Sequence, residues 1–152
     1  MSDTQNIIAC LYLPVNQQQL LLPNVSVAEV VGYQAPETPR DKPDFFLGYV
    51  TWRGISIPLI SYELANGQSS NKMATNAQIA VINSIGEHHE VLPFFAIPTQ
   101  GIPRLVKVAS DLIKPVKSQT KHKAEIASIK LDGEEAIIPD LNYLEALAFK
   151  HR

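Results

Sequence analysis

Glu87-His88-His89-Glu90 places four side chains able to hold a metal or move a proton at consecutive positions. Neighbouring side chains on a turn or strand point in different directions, so the two imidazoles do not converge. No third ligand stands at a helpful spacing, and a zinc site needs three or four. His122 and His151 lie in basic contexts and read as surface residues. Cys10 is the single cysteine and sits in an apolar run, where a free thiol reads as a small core residue. No histidine is near it in sequence. The chain contains no G-x-S-x-G elbow, no P-loop and no G-x-G-x-x-G fingerprint. The expectation is a non-catalytic protein with no catalytic residues, no metal ligands and no cofactor.

The side chains that remain suit recognition. Arg53 precedes Gly54 in a two-residue turn position between two apolar runs, 45–52 and 55–60. It reads as a solvated turn residue or as a contact anchor, because a guanidinium on a rigid tip keeps its fork geometry for carboxylates. Glu29 is the only charge in residues 25–31, among Val25, Val27 and Val30. A half-buried carboxylate there needs a partner. Trp52, the only tryptophan, reads as a core residue or as an interface anchor. Phe45, Phe46 and Tyr49 pose the same question, since alternation sends some of them outward. Arg104, Lys107, Lys114, Lys117, Lys121 and Lys123 are opposed only by Asp111. Such a run reads as a solvated face or as a site for an acidic partner or RNA. It holds no aromatic platform for stacked bases.

The elements that must position these residues are short. Residues 7–13 read as a strand, 17–19 as a polar turn, and 20–22 resume the apolar run before Pro23-Asn24. A proline-rich loop over 33–44 follows the valine-rich segment. Residues 45–52 and 55–60 predict a hairpin in which Gly54 takes a positive φ. Period 2 sets Ile55, Ile57 and Leu59 on one face, and Pro58 belongs at an edge or near a strand end. Ser61 caps a short helical turn that Gly67 ends. Residues 68–76 form a polar loop, 78–85 and 91–97 a second hairpin, and 104–108 another strand. A polar, basic connection over 114–123 leads to a hairpin of 126–131 and 134–138 about Asp132-Gly133. Asp140 then caps a helix whose apolar stripe is Leu141, Leu144, Leu147 and Ala148. Many short strands with turn signals argue for barrels rather than a βαβ sheet.

Composition bounds the class. The 152 residues suit one domain, 1–152, and 45 % apolar residues supply a core. Charged residues reach only 18 %, which excludes a disordered chain, and a net charge of −2 argues against a dedicated nucleic-acid binder. One cysteine fits a reducing compartment. The first residues, Met1-Ser2-Asp3-Thr4-Gln5, lack the pattern of a signal peptide, and Pro and Gly interrupt every apolar run before it reaches membrane-spanning length. A cytoplasmic protein is expected, with membrane contact only through a partner.

Val27-Ala28-Glu29-Val30-Val31-Gly32-Tyr33, followed by Phe45-Phe46-Leu47-Gly48-Tyr49-Val50-Thr51-Trp52-Arg53-Gly54-Ile55-Ser56-Ile57-Pro58-Leu59-Ile60, resembles the CheW-like domain family. That family has a V-x-E-[IV] segment, a proline-rich loop, a strand, an Arg-Gly turn and an apolar strand ending in Pro. Spacing agrees over residues 20–61. Asp132-Gly133 with Ile137-Ile138-Pro139-Asp140-Leu141 looks like the family's closing hairpin and last helix. The resemblance implies an all-β fold of two small five-stranded SH3-like β-barrels side by side, with a short C-terminal helix. It implies an adaptor that couples the regulatory domain of a chemotaxis-type histidine kinase to the cytoplasmic tip of a chemoreceptor. In the family the arginine of the Arg-Gly turn is associated with receptor-side contacts and a glutamate can pair with it. These carry over onto Arg53 and Glu29, with Val27, Val30 and Trp52 around them. The chain departs from the family at Ser61, where Asp is frequent, and at Ala96-Ile97-Pro98-Thr99-Gln100, which replaces a Gly-[LIV]-x-[LV]-Asp motif. Such departures suit a divergent member, including one of a pilus-based (twitching) motility cluster. The alternative reading, a nucleic-acid-binding barrel, is disfavoured by net charge and the missing aromatic platform.

Overall fold

The computed structural model describes residues 7–69, 73–116 and 122–152. Its strands are β1 (Ile7–Val15), β2 (Gln18–Pro23), β3 (Val27–Gly32), β4 (Phe46–Trp52), β5 (Ile55–Ile60), β6 (Gln78–Asn83), β7 (Phe94–Thr99), β8 (Arg104–Ala109), β9 (Lys114–Val116), β10 (Glu125–Leu131) and β11 (Glu134–Pro139). Two helices join them, α1 (Tyr62–Ala65) and α2 (Leu141–His151). The strands form two sheets, one ordered β8-β1-β2-β11-β10-β9 and the other β3-β6-β7-β5-β4. The first therefore has six strands where five were expected. Its extra strand is β9, three residues at the start of what reads from sequence as a polar connection. Residues 117–121 of that connection, and 70–72 of the expected 68–76 loop, lie outside the described residues.

Three apolar clusters explain why two sheets persist side by side. Cys10, Tyr12, Leu21, Val108, Ile129, Leu131 and Ala136 fill the concave side of the first sheet. Val50, Trp52, Ile57, Leu59, Ile79, Val81 and Ala96 fill the second. The opposite faces of the same strands meet in a shared core, where Leu13, Leu20 and Leu22 pack with Phe46, Ile60, Ile82, Phe95 and Leu144 of α2. A strand buried on both faces reads as a continuous apolar run rather than an alternating one. That is why Ile57, Pro58, Leu59 and Ile60 are all buried, while Ile55 at the hairpin tip stays 42 % exposed instead of joining Ile57 and Leu59.

Pro58 is not at an edge, since β5 lies between β4 and β7. It stands opposite Tyr49, whose N–H and C=O both bond to Glu37 on the far side of β4. Tyr49 and Pro58 are thus a non-hydrogen-bonded pair, and the missing proline donor costs nothing toward β4. Toward β7 the ladder shrinks to the single parallel pair Leu59–Ala96.

Both helices carry the expected caps. Ser61 Oγ accepts from Leu64 N at 3.2 Å, and Asp140 Oδ1 accepts from Tyr143 N at 3.1 Å. The strand expected from residue 91 begins later, at Phe94. Glu145 of α2, 2 % exposed, accepts from Gly86 N at 2.8 Å and His88 N at 3.1 Å, which holds the preceding turn in place.

Candidate partner-binding site

The β4–β5 and β10–β11 hairpins share one turn. Arg53 and Gly54 have φ of 50° and 78°, and Asp132 and Gly133 have φ of 50° and 82°. Two consecutive positive φ values define the type I′ turn, whose twist matches the flanking strands and whose first position favours Asn, Asp or Gly. Asp132 obeys that preference. Arg53 does not, and a left-handed arginine costs of order 1 kcal/mol.

Arg53 Nη2 donates to Glu29 Oε1 at 3.2 Å, and Trp52 Nε1 donates to the same oxygen at 3.0 Å. The guanidinium carbon lies 4.8 Å from the centre of the Trp52 ring. Trp52 is 8 % exposed and meets Phe94 edge-on at 4.8 Å. It is a core residue of the second barrel whose one polar atom reaches the surface and fixes Glu29. The Glu29 and Arg53 side chains are 41 % and 69 % exposed. Glu29 Oε2 and the remaining guanidinium N–H groups make no hydrogen bond among the described residues, so a partner's polar groups can meet them.

This triad also closes a seam. β3 and β4 are the two edges of the five-stranded order, and side chains rather than a ladder span them. Gln34 donates to Thr51 O at 3.1 Å and accepts from Thr51 N at 3.4 Å, and Glu37 exchanges two backbone bonds with Tyr49. A bulge in β3 falls between Val27 and Glu29. It sets Ala28 and Val31 against the second barrel's core and Val27 against the shared core. Alternation places Val30 on the face opposite Glu29 and Val31. The structure therefore gathers Glu29, Trp52 and Arg53 and leaves Val27 and Val30 half-buried on the other side of the same edge strand.

The first barrel repeats this chemistry in a form the sequence reading missed. Arg104 lies 4.7 Å from the Tyr12 ring centre, and its Nη2 donates to both Glu134 oxygens, at 3.0 and 3.2 Å. Burial pushes the Tyr12 phenol up from its ordinary pKa, and Glu134 adds to the shift. A buried network was missed too. Asn66 donates to Glu125 Oε2 at 2.8 Å and accepts from Ala124 N at 2.9 Å, while Glu63 Oε2 accepts from Asn16 N at 3.0 Å.

The residues first weighed for chemistry are engaged otherwise. His88 stacks on Phe149 at 3.9 Å, and His89 Nδ1 meets Gly86 O at 2.8 Å. Burial pushes the Cys10 thiol up, away from the reactive thiolate. Among the described residues no three His, Cys, Asp or Glu side chains are grouped to hold a metal ion, and no helix is long and apolar enough to cross a membrane.

Comparison with known proteins bears on the whole chain. In structure it is similar to the scaffolding protein TtCheW from Thermoanaerobacter tengcongensis, with a TM-score of 0.76 over 90 % of this chain and 91 % of that one, at 19 % sequence identity. No curated protein matches it in sequence. The model of the CheW-like domain family matches residues 9–147. With that span, and with two packed SH3-like sheets, open rather than closed into the expected barrels, and the Arg-Gly hairpin in place, the chain belongs to the CheW-like domain family.

Proposed function

We propose that this chain is a non-catalytic, cytoplasmic adaptor that couples a chemotaxis-type histidine kinase to a chemoreceptor. Family membership supports this reading, and TtCheW, the similar structure, is itself described as a scaffolding protein. The observation that carries it on this chain is Arg53. It is a strained, exposed arginine on a rigid hairpin tip, oriented by Glu29 and by the indole beneath it.

In this reading Arg53 and Glu29 contact the receptor tip, Val27 and Val30 flank them, and Trp52 fixes their geometry from below. An exposed ion pair contributes only about 0–1 kcal/mol to stability, so the value of the pair lies in orientation. The mechanism is organisation. Holding kinase and receptor together raises their effective concentration, and receptor state then biases kinase activity through a shared assembly.

Arg53→Gln removes the guanidinium without setting a second carboxylate beside Glu29, and Arg53→Glu reverses its charge. Both variants are expected to keep the wild-type melting temperature and to bind a receptor-tip fragment at least tenfold more weakly in calorimetry. Unchanged receptor binding by a folded variant would contradict the contact role. A collapse of the melting temperature in both variants would make Arg53 structural.

A further inference from the structure

Asn66-Gly67, the only Asn-Gly pair of the sequence, is a labile dipeptide that the fold holds shut. Asparagine is thermally labile, most of all before glycine, whose missing side chain leaves its backbone nitrogen unhindered. Each residue stands there for its own reason. Gly67 ends α1 with φ of 77°, a left-handed position that favours glycine. Asn66, 2 % exposed, clasps α1 to the start of β10. Its Oδ1 accepts from Ala124 N at 2.9 Å, and its Nδ2 donates to Glu125 Oε2 at 2.8 Å and to Gln68 Oε1 at 3.3 Å. Ala124 O in turn accepts from Asp140 N at 2.8 Å, so the clasp reaches the cap of α2.

Deamidation of such a pair begins when the Gly67 backbone nitrogen attacks Asn66 Cγ. That nitrogen gives its proton to solvent, the N–Cγ bond forms, and the Cγ–Nδ2 bond breaks as ammonia leaves with a proton from water. Water then opens the cyclic imide at either carbonyl and gives aspartate or isoaspartate. Closing the ring requires the Gly67 nitrogen to lie beside Asn66 Cβ across the Cα–C bond. The ψ of 5° at Asn66 eclipses it with Asn66's own nitrogen instead. The Gly67 N–H is also committed to Leu64 O at 3.1 Å, and both amide atoms of Asn66 are bonded. The reaction therefore waits on a local opening in which α1 loses its last turn and the side chain swings out.

We propose that Asn66 is a fold-gated deamidation site whose product keeps the clasp from re-forming. An aspartate at this position sets a carboxylate oxygen where Nδ2 now donates to Glu125, a residue 6 % exposed, with buried Glu63 on the same short helix. An acceptor then faces an acceptor, and two carboxylates repel in a site with little water. Isoaspartate adds a methylene to the backbone and breaks the last turn of α1. α1 follows β5 directly and β10 belongs to the other sheet, so each conversion loosens one of the joins between the sheets. Opening is reversible before the reaction and permanent after it.

The test holds the full chain, folded or unfolded in guanidinium, at one mildly alkaline pH and follows conversion at Asn66 by peptide mass spectrometry. Conversion should be at least tenfold slower in the folded chain. Glu125→Ala, which removes the main acceptor of the clasp, should speed it several-fold in the folded state. Asn66→Asp should melt several degrees below the wild type. Equal rates in the folded and unfolded chains would overturn the protection. A folded Glu125→Ala chain that converts at the wild-type rate would overturn gating by the clasp. A wild-type melting temperature in Asn66→Asp would overturn the claim that the product holds the clasp open.

Discussion

Tyr62 is wholly buried, and its hydroxyl has no hydrogen-bond partner among the described residues. Burial pushes its pKa well above the ordinary 10.0, and the nearby Glu125 and Glu63 carboxylates push it further. In the unfolded chain the phenol ionises near 10, while the folded chain holds the proton. The stabilisation tied to this shift is complete below pH 10 and is lost as pH rises above it. Alkaline unfolding of the wild type should therefore steepen above pH 10, and Tyr62→Phe should flatten that limb. Denaturation midpoints followed from pH 8 to pH 11.5 check this, and parallel curves for the two proteins would contradict it. The same residue shows where sequence reading stops. Arg53 and Glu29 stood out because each is a lone charge in an apolar setting. Asn66, Ala124 and Glu125 did not, because their bonds join positions 58 and 59 residues apart and leave no local pattern.

At the scale of elements, hairpins were the most legible feature, because a two-residue turn with glycine at its second position is a local signal. Both type I′ turns, both helix caps and the apolar stripe of α2 stand where the residues place them. Gly48 was not legible. It lies in a β4 bulge with φ of 142°, and a Cβ there would sit 2.0 Å from the Glu37 carbonyl oxygen. The bulge lets the 33–44 loop lie against β4 through the Glu37–Tyr49 pair. Gly48→Ala is expected to cost about 2 kcal/mol or more, through backbone strain and loss of that pair. Urea denaturation measures it, and a change below about 0.5 kcal/mol, the usual range for neutral surface changes, would contradict it. β9 escaped notice for the opposite reason: three residues including Pro115 carry no periodicity. The turn ahead of β7 is held by Glu145 of α2, a contact across 57 to 59 residues that leaves no local pattern.

For the whole molecule, the all-β class was legible from strand density and turn spacing, and the resemblance supplied the two-part architecture, although the sheets do not close into barrels. The shared core between the sheets was not, because strands buried on both faces lose the alternation that assigns a face. That core joins the two sheets into one body: Leu13, Leu20 and Leu22 of one sheet pack with Ile60, Ile82 and Phe95 of the other. The most direct test is a calorimetric titration of the chain into the kinase regulatory domain, repeated with the chain saturated by a receptor-tip fragment. Binding at micromolar strength or tighter in both titrations, with the receptor fragment leaving kinase affinity intact, is the predicted result. Displacement of the kinase domain by the receptor fragment, or no binding to either by a folded sample, would contradict a two-faced adaptor.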